Sequence, residues 1–149
     1  LSCHFHAHEG SHLNLLSRRQ QSLDTFTALG VDRVLRRYFE ALIAAVREIA
    51  CDVLCHLDAA LRHYPGLQFN QSHRQQIVDL LDAVQERGVA LEINTSGFDY
   101  RGTPFPAAWI ITRALERGIP LSAGSDAHRP ADVGRYFDRL PAYLASLAA

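Results

Sequence analysis

Residues 124–130 read Gly-Ser-Asp-Ala-His-Arg-Pro and directly follow a short apolar run, Ile-Pro-Leu-Ser-Ala, at 119–123. The apolar run is typical of a β-strand, and the residues after Pro130 have a helical pattern. An aspartate and a histidine two residues apart at a strand-to-helix turn suit a divalent metal bound by one oxygen and one nitrogen. The alternative is that Ser125 or Asp126 caps the helix. The choice depends on how the other strands end.

The rest of the chain alternates predicted strands with predicted helices. The strands are short apolar runs at Leu1–His6, Cys51–Cys55, Val89–Ile93 and 119–123. The helices repeat apolar residues every three or four positions. They begin at Val31, at Asn70 or Ser72, and at Pro106, and further helical stretches run to the end with a break near Pro141. Residues 9–30 are predicted to be a long loop with a short helix near Asp24–Leu29.

Single helices between successive strands require parallel strands with right-handed crossovers. The pattern therefore predicts an α/β fold, either a doubly wound sheet or part of a barrel. In both architectures, ligands bind at the carboxyl ends of the strands. Residues able to bind a metal or an anion follow all four predicted strands or lie at their ends: His4, His56 with Asp58, Asn94 with Ser96, and Asp126 with His128. Capping does not readily explain four such ends, so the pattern favours a functional site.

Several residues near these strand ends have more than one interpretation. His4-Phe5-His6-Ala7-His8 places three imidazoles two residues apart, and in an extended chain such residues share a face and could share a metal. Asp58 is expected either to orient His56 or to cap a turn. Glu92 is expected either to accept a hydrogen bond behind a ligand or to pair with an arginine. His63 and His73 are expected at the surface without a role.

Composition limits the classes of function. The 149 residues fit one domain, and 48% hydrophobic with 21% charged residues indicates a globular protein. A formal net charge of −1 gives no electrostatic case for a nucleic-acid or membrane partner, and no apolar run is long enough to span a bilayer. Three cysteines without CxxC spacing indicate reduced thiols and a cytoplasmic location.

The chemistry suggested by these residues is hydrolytic. A cluster of histidine and aspartate with few cysteines favours Zn, Mn or Fe. Such divalent ions lower the pKa of bound water and stabilise charge on a phosphoryl oxygen. The sequence contains no G-x-S-x-G and no Walker-type loop, which disfavours acyl transfer by serine and nucleotide hydrolysis.

Four segments together resemble, in order and spacing, the PHP (polymerase and histidinol phosphatase) superfamily, and most closely its histidinol-phosphatase branch. The segments are Ser2-Cys3-His4-Phe5, Asp52-Val53-Leu54-Cys55-His56-Leu57-Asp58, Leu91-Glu92-Ile93-Asn94-Thr95-Ser96-Gly97 and Gly124-Ser125-Asp126-Ala127-His128. Tyr38-Phe39 before the second segment adds to the likeness. The resemblance covers nearly the whole chain.

The resemblance implies a distorted (βα)7 TIM-like barrel with a multinuclear divalent-metal centre at its C-terminal face. It implies metal-dependent hydrolysis of a small phosphomonoester, histidinol phosphate, to histidinol and phosphate in histidine biosynthesis. The metal ligands that match the motifs are His4, His56, Asp126 and His128, and Asp126 and His128 are the expected catalytic residues. Asn94, Ser96 and Arg101 lie on loops expected to line the substrate pocket, although a solvated loop position is the alternative for Arg101.

Two departures from the family pattern leave alternatives open. Members open with a His-x-His strand that precedes the point where this chain starts, and a complete barrel has about 250 residues. Residues 1–149 are therefore expected to be one N-terminally truncated PHP domain, the C-terminal portion of the barrel, unless His4-x-His6-x-His8 is itself the opening motif. The alternatives are another PHP phosphoesterase, a polymerase-associated PHP domain, or a catalytically incomplete metal-binding fragment. An open sheet edge would favour a homo-oligomer.

Overall fold

The computed structural model describes residues 1–8, 10–59, 62–64 and 68–147. The strands in chain order are β1 (Phe5–His8), β2 (Ser11–Asn14), β3 (Val53–Leu54), β4 (Ala90–Asn94) and β5 (Leu121–Gly124). The α-helices are α1 (Gln20–Leu29), α2 (Val31–Glu48), α3 (Gln71–Glu86), α4 (Gly97–Arg101), α5 (Ala108–Glu116) and α6 (Leu140–Leu147). Two short 3₁₀ turns, Pro130–Asp132 and Phe137–Arg139, lie between β5 and α6.

The central element is a parallel sheet of three strands in the order β3-β4-β5. Leu54 pairs with Leu91, and Leu91 pairs with Leu121, so the three strands are in register across the sheet. Helix α3 connects β3 to β4, and the segment that contains α4 and α5 connects β4 to β5. The predicted α/β fold with parallel strands is confirmed for these three strands.

The amino-terminal segment differs from the prediction. Strand β1 pairs with β2 as an antiparallel hairpin, with Phe5 opposite Asn14, so the predicted long loop at 9–30 is wrong. Leu13 and Leu15 alternate toward the core and are 7% and 2% exposed, and this alternation gives the hairpin a buried face. Helix α1 also begins at Gln20, four residues before the predicted start. Leu1 lies beside β3, its amino group donating to the Val53 carbonyl and its carbonyl accepting from the Cys55 amide.

The core lies between the sheet and the pair α2 and α3. Phe39 and Leu42 of α2 are fully buried, as are Ile77 and Leu80 of α3, because the apolar residues of each helix recur on one face. Each such side chain removes enough apolar surface from water to contribute about 1.5–3 kcal/mol. This packing holds the sheet so that its strand ends are fixed in space.

The start of α3 corrects one expectation. Asn70 caps the helix, its Oδ1 accepting from the backbone amide of His73 at 2.9 Å. His73 was expected at the surface but is only 3% exposed, because it lies four residues before Ile77 on the apolar face of the helix. Its Nε2 lies 3.2 Å from Asp32 Oδ1 on α2, so the ring joins the two helices.

Two further local features differ from the sequence interpretation. Helix α4 was not predicted. A Cβ at its first residue, Gly97, would lie 2.5 Å from the Thr103 carbonyl, so only glycine fits there. Pro141 was expected to break a helix, but α6 begins at Leu140 and Pro141 lies in its first turn, where proline is tolerated. Within the described ranges, none of the helices has the length and apolar character needed to cross a membrane.

Candidate functional site

A cleft of about 550 Å³ opens at the carboxyl-terminal side of the parallel sheet. Three of the four predicted metal ligands line it: His4, Asp126 and His128. Four arginines also line it, at positions 18, 62, 129 and 135. Against these the cleft wall carries two aspartates, Asp126 and Asp132, so its charge favours an anionic ligand.

His4 and His56 form the buried end of this group. Their rings stack with centroids 5.2 Å apart and planes inclined by 29°. His4 Nε2 and His56 Nδ1 are both buried and have no hydrogen-bond partner within the ranges described. Burial lowers the pKa of His56, although the Asp126 carboxylate opposes this effect, and the lower pKa favours the neutral imidazole that binds metals.

The turn after β3 is held by buried hydrogen bonds. His56 has a φ of +30°, a backbone conformation uncommon for residues other than glycine. Its backbone amide donates to Glu92 Oε2 at 2.9 Å. Tyr38 donates its hydroxyl to the Leu57 carbonyl at 3.1 Å, and burial raises the pKa of Tyr38 so that this donor stays protonated. Of the two interpretations of Glu92, the structure supports the hydrogen-bond acceptor, since in the described part of the chain Glu92 has no arginine partner.

The Asp126-Ala127-His128 turn presents its imidazole to the cleft. His128 Nδ1 lies 2.8 Å from the Asp126 carbonyl oxygen, which can only accept, so Nδ1 carries the proton and Nε2 keeps its lone pair. The capping alternative for this turn is wrong. Residue Arg129, not Asp126, precedes the first 3₁₀ turn, which has no side-chain cap, and Ser125 Oγ instead accepts from the amide of Gly134.

Arg62 is a cleft residue that the sequence interpretation missed. Its side chain is only 8% exposed, and Nη1 lies 3.6 Å from Asp126 Oδ2. The guanidinium lies over the rings of Tyr100 and Phe105, at 5.1 and 5.4 Å from their centroids. Nε and Nη2 are buried with no partner among the described residues. The available signal was its position four residues after Asp58, in the loop that follows the second motif.

Arg101 is engaged away from the cleft lining. Its Nη1 donates to Asp58 Oδ2 at 3.0 Å, it also bonds the Pro104 carbonyl, and it lies 4.2 Å from the ring centroid of Phe105. The same Asp58 oxygen accepts from the backbone amide of Ala107, just before α5. Burial raises the pKa of Asp58, and Arg101 opposes that rise. Asp58 therefore anchors Arg101 and the start of α5, and neither role predicted for it is seen.

Asn94 and Ser96 are fully buried beneath this region. Asn94 Oδ1 accepts from the backbone amide of Ser96 at 3.0 Å and from its hydroxyl at 2.6 Å. Asn94 Nδ2 donates to Glu92 Oε2 at 3.1 Å. Both side chains thus belong to an internal network, and the substrate-binding role of Asn94, Ser96 and Arg101 stays a prediction.

The predicted ligands His4, His56, Asp126 and His128 are of the types that bind a divalent metal, but their positions in the structure fit a metal only in part. His4 Nε2 and His56 Nδ1 are buried nitrogens without hydrogen-bond partners among the described residues, as expected for imidazoles that ligate a metal. In residues 1–8, 10–59, 62–64 and 68–147, however, no three His, Cys, Asp or Glu side chains are grouped closely enough to hold an ion together. The Arg62 guanidinium stands beside the Asp126 carboxylate in this arrangement.

The fold and cleft define an α/β protein with an arginine-lined cleft at the carboxyl ends of parallel strands. Comparison with known proteins shows what the chain is similar to. The family described as "PHP-associated" matches residues 110–146. The chain is 28% identical over 147 residues to the histidinol-phosphatase of Bacillus subtilis (strain 168), covering 93% of this chain and 55% of the relative. It is 34% identical over 105 residues to a Deinococcus radiodurans protein named "Probable histidinol-phosphatase", covering 68% of this chain and 38% of the relative.

The fold has a match among solved structures. The crystal structure of a candidate histidinol phosphatase from Listeria monocytogenes superposes with a TM-score of 0.78 at 22% identity, covering 93% of this chain and 56% of that one. The chain thus spans about half or less of the length of the proteins it matches. Other relatives are named only as phosphatases, without a substrate. The resemblance to the histidinol-phosphatase branch of the PHP superfamily, over its C-terminal part, is confirmed.

Proposed function

We propose that this chain supplies the C-terminal part of a distorted (βα)7 PHP barrel that hydrolyses histidinol phosphate to histidinol and phosphate in histidine biosynthesis. Residues 1–149 would form a single domain unit within that barrel, and the cytoplasm would be its location. The similarity to proteins named histidinol-phosphatase supports the substrate. The parallel sheet and its polar strand ends support the barrel.

The main support for the proposal is that buried imidazole nitrogens and buried guanidinium nitrogens without hydrogen-bond partners lie together around the cleft. In the part of the chain that the structure describes, His4 and His56 each have a buried ring nitrogen without a partner, and Arg62 has two such guanidinium nitrogens. Buried polar groups are normally satisfied, so each unsatisfied group calls for an explanation such as an absent ligand. A divalent metal would satisfy the imidazoles, and a phosphate would satisfy the arginine.

The metal would be held by His4, His56, Asp126 and His128, with Zn, Mn and Fe as candidates, and when bound it would polarise the phosphoryl group and activate water. Arg62 would bind the phosphate oxygens through Nε and Nη2, a bidentate geometry that suits a phosphomonoester. The rings of Tyr100 and Phe105 would keep the guanidinium in place. Arg18 and Arg129 at the cleft wall would attract the dianion.

Proton placement in the site follows from two imidazoles. His56 is kept neutral by burial, which leaves its lone pair available at neutral pH. His128 holds its proton on Nδ1 against the Asp126 carbonyl, which leaves Nε2 as the acceptor nitrogen of the neutral ring. Asp126 supplies the negative charge that opposes the arginines beside it.

A second candidate is hydrolysis of another small phosphomonoester on the same site. It is favoured by the relatives that are named as phosphatases without a substrate. Neither candidate requires a nucleic-acid partner, and a homo-oligomer is compatible with both. A panel of histidinol phosphate, other phosphomonoesters and a single-stranded oligonucleotide separates them by relative kcat/KM.

The test of the proposed function is phosphate release by the protein made from its complete reading frame, with Arg62→Met as the variant. We expect kcat/KM for histidinol phosphate to fall at least about 100-fold, because a charge-stabilising donor on the transferred group is lost. His12→Ala is the matched control, since His12 is exposed on the hairpin and does not line the cleft. Equal kcat/KM for Arg62→Met and the control would contradict the role of the arginine, and no release from histidinol phosphate by the unaltered protein would contradict the substrate.

A further inference from the structure

Glu92 on β4 is a partly buried carboxylate that contacts the turn carrying a predicted ligand. Its Oε2 accepts from the backbone amide of His56 at 2.9 Å and from Asn94 Nδ2 at 3.1 Å. Within the described ranges it has no ion pair with an arginine. A carboxylate in such a place is costly without partners, and the hydrogen bonds from His56 and Asn94, together with the nearby Leu1 ammonium, offset that cost.

The other face of the same carboxylate contacts β5. Glu92 is opposite Ser122 in the sheet, and a Cβ at Gly124 would overlap the Glu92 carboxylate. A side chain at this position, two residues before Asp126, would therefore have to displace the Glu92 carboxylate. One side chain thus contacts the turn after β3, the end of β4 and the end of β5.

We propose that Glu92 is a positioning residue that holds the His56 turn against the Asp126 turn and so sets the affinity of the site for a divalent metal. His56 has a φ of +30° and Asp126 a φ of +51°, and such conformations persist only where surrounding contacts fix them. The hydrogen bond from Glu92 fixes the first turn, and its close packing on Gly124 fixes the position of the second. This inference rests on the proposed function, since the ligands it positions are those proposed above.

Comparing Glu92→Gln with Glu92→Ala distinguishes a carboxylate that acts as a hydrogen-bond acceptor from one whose charge binds the metal. A glutamine oxygen in the Oε2 position still accepts from His56 and Asn94, so a positioning role predicts a Zn²⁺ Kd within threefold of the unaltered protein. Alanine removes the acceptor, and we expect a Kd at least 10-fold weaker, as for other groups that orient metal ligands. Glu86→Ala, an exposed glutamate at the end of α3, is the control and should leave the Kd unchanged.

The measurement is a Zn²⁺ titration in competition with a chromophoric chelator, with thermal unfolding recorded for each variant. Gly124→Ala is the second variant should Glu92→Ala fail to fold. It should also weaken Zn²⁺ binding at least 10-fold, because its methyl group displaces the carboxylate. The ¹H–¹⁵N resonance of the His56 amide reports the contact directly, and it should move in Glu92→Ala and stay close to its position in Glu92→Gln.

Three results would overturn the proposal: an equal Kd for Glu92→Ala and Glu86→Ala, a loss in Glu92→Gln as large as in Glu92→Ala, or no Zn²⁺ binding by the unaltered protein. The second would mean that the charge itself binds the metal. The outcome is separable from that of the proposed function. Suppose that Glu92→Ala binds Zn²⁺ more weakly and that the unaltered protein releases no phosphate from histidinol phosphate. This result supports the positioning role of Glu92 and contradicts only the proposed substrate.

Discussion

Arg101 donates to a buried aspartate, Asp58, and its guanidinium stacks on Phe105. From the sequence alone, a loop arginine near a predicted phosphate site is compatible both with substrate binding and with a solvated position. Arg62, whose side chain is only 8% exposed, lines the cleft instead, and it lies four residues after the second motif rather than within it. The two arginines have the same chemistry, and only their three-dimensional surroundings distinguish them.

Replacing Arg101 with methionine should destabilise the protein. Asp58 is 2% exposed and would remain buried with only the Ala107 amide as a partner. Breaking a buried pair costs about 3–5 kcal/mol, and we expect about 2–3 kcal/mol here because the Arg101 side chain is partly exposed. Urea denaturation measures the change in the free energy of unfolding. Arg113→Met, which breaks the exposed pair with Glu116, should change it by less than about 0.5 kcal/mol, and equal losses in both variants would refute the argument.

At the scale of elements, α2 and α3 are joined at their amino-terminal ends by one aspartate. Asp32 in the first turn of α2 accepts from Arg36 and from Asn70, the cap of α3, and lies beside the His73 ring. The helices themselves follow from their apolar periodicity. The link between them does not, because it depends on which turns the packing brings together.

The Asp32 link should make stability depend on pH. Hydrogen bonds from Arg36 and then Asn70 lower the pKa of Asp32 below its ordinary 3.8, so near that pH the unfolded chain binds more protons than the folded one. The stability from Asp32 is therefore complete above the ordinary value and is lost as the pH falls through and below it. Between pH 6 and pH 2.5, the Tm of Asp32→Asn should fall less steeply than that of the unaltered protein. Asp138→Asn, an exposed control, should follow the unaltered curve; parallel curves for all three would contradict the prediction.

The amino-terminal hairpin explains why residues 9–30 were predicted poorly. Strand β2 is only four residues long, and its period-two pattern is carried by Leu13 within it and Leu15 directly after it. Such a short pattern is indistinguishable from a loop until the partner strand is known. The same limit applies to α4, whose five residues are fixed by the tight contact at Gly97 rather than by any periodicity.

At the scale of the whole molecule, the alternation of strands and helices predicted the parallel sheet. The shared direction of the strands predicted that the polar residues at their carboxyl ends lie on one side of the sheet. His4, Asp126 and His128 do meet in one cleft, with His56 stacked on His4. Sequence spacing does not report how side chains pack in depth, so it did not show that Asn94 and Ser96 are buried. For Arg62, its position after the second motif did not distinguish a cleft residue from a solvated loop residue. The alternation of strands and helices left both a doubly wound sheet and a barrel open. The structure describes three parallel strands, so the barrel implied by the resemblance stays a proposal.

The most direct test of the account is phosphate release from histidinol phosphate before and after the metal is removed. The protein from the complete reading frame is treated with a chelator, dialysed, and assayed again with Mn²⁺ or Zn²⁺ restored. We predict at least about a 100-fold loss of kcat on removal and recovery on addition, with no recovery in His128→Ala at the same metal concentration. A rate that is unchanged by metal removal, or a His128→Ala variant as active as the unaltered protein, would contradict a metal-dependent phosphatase site in this cleft.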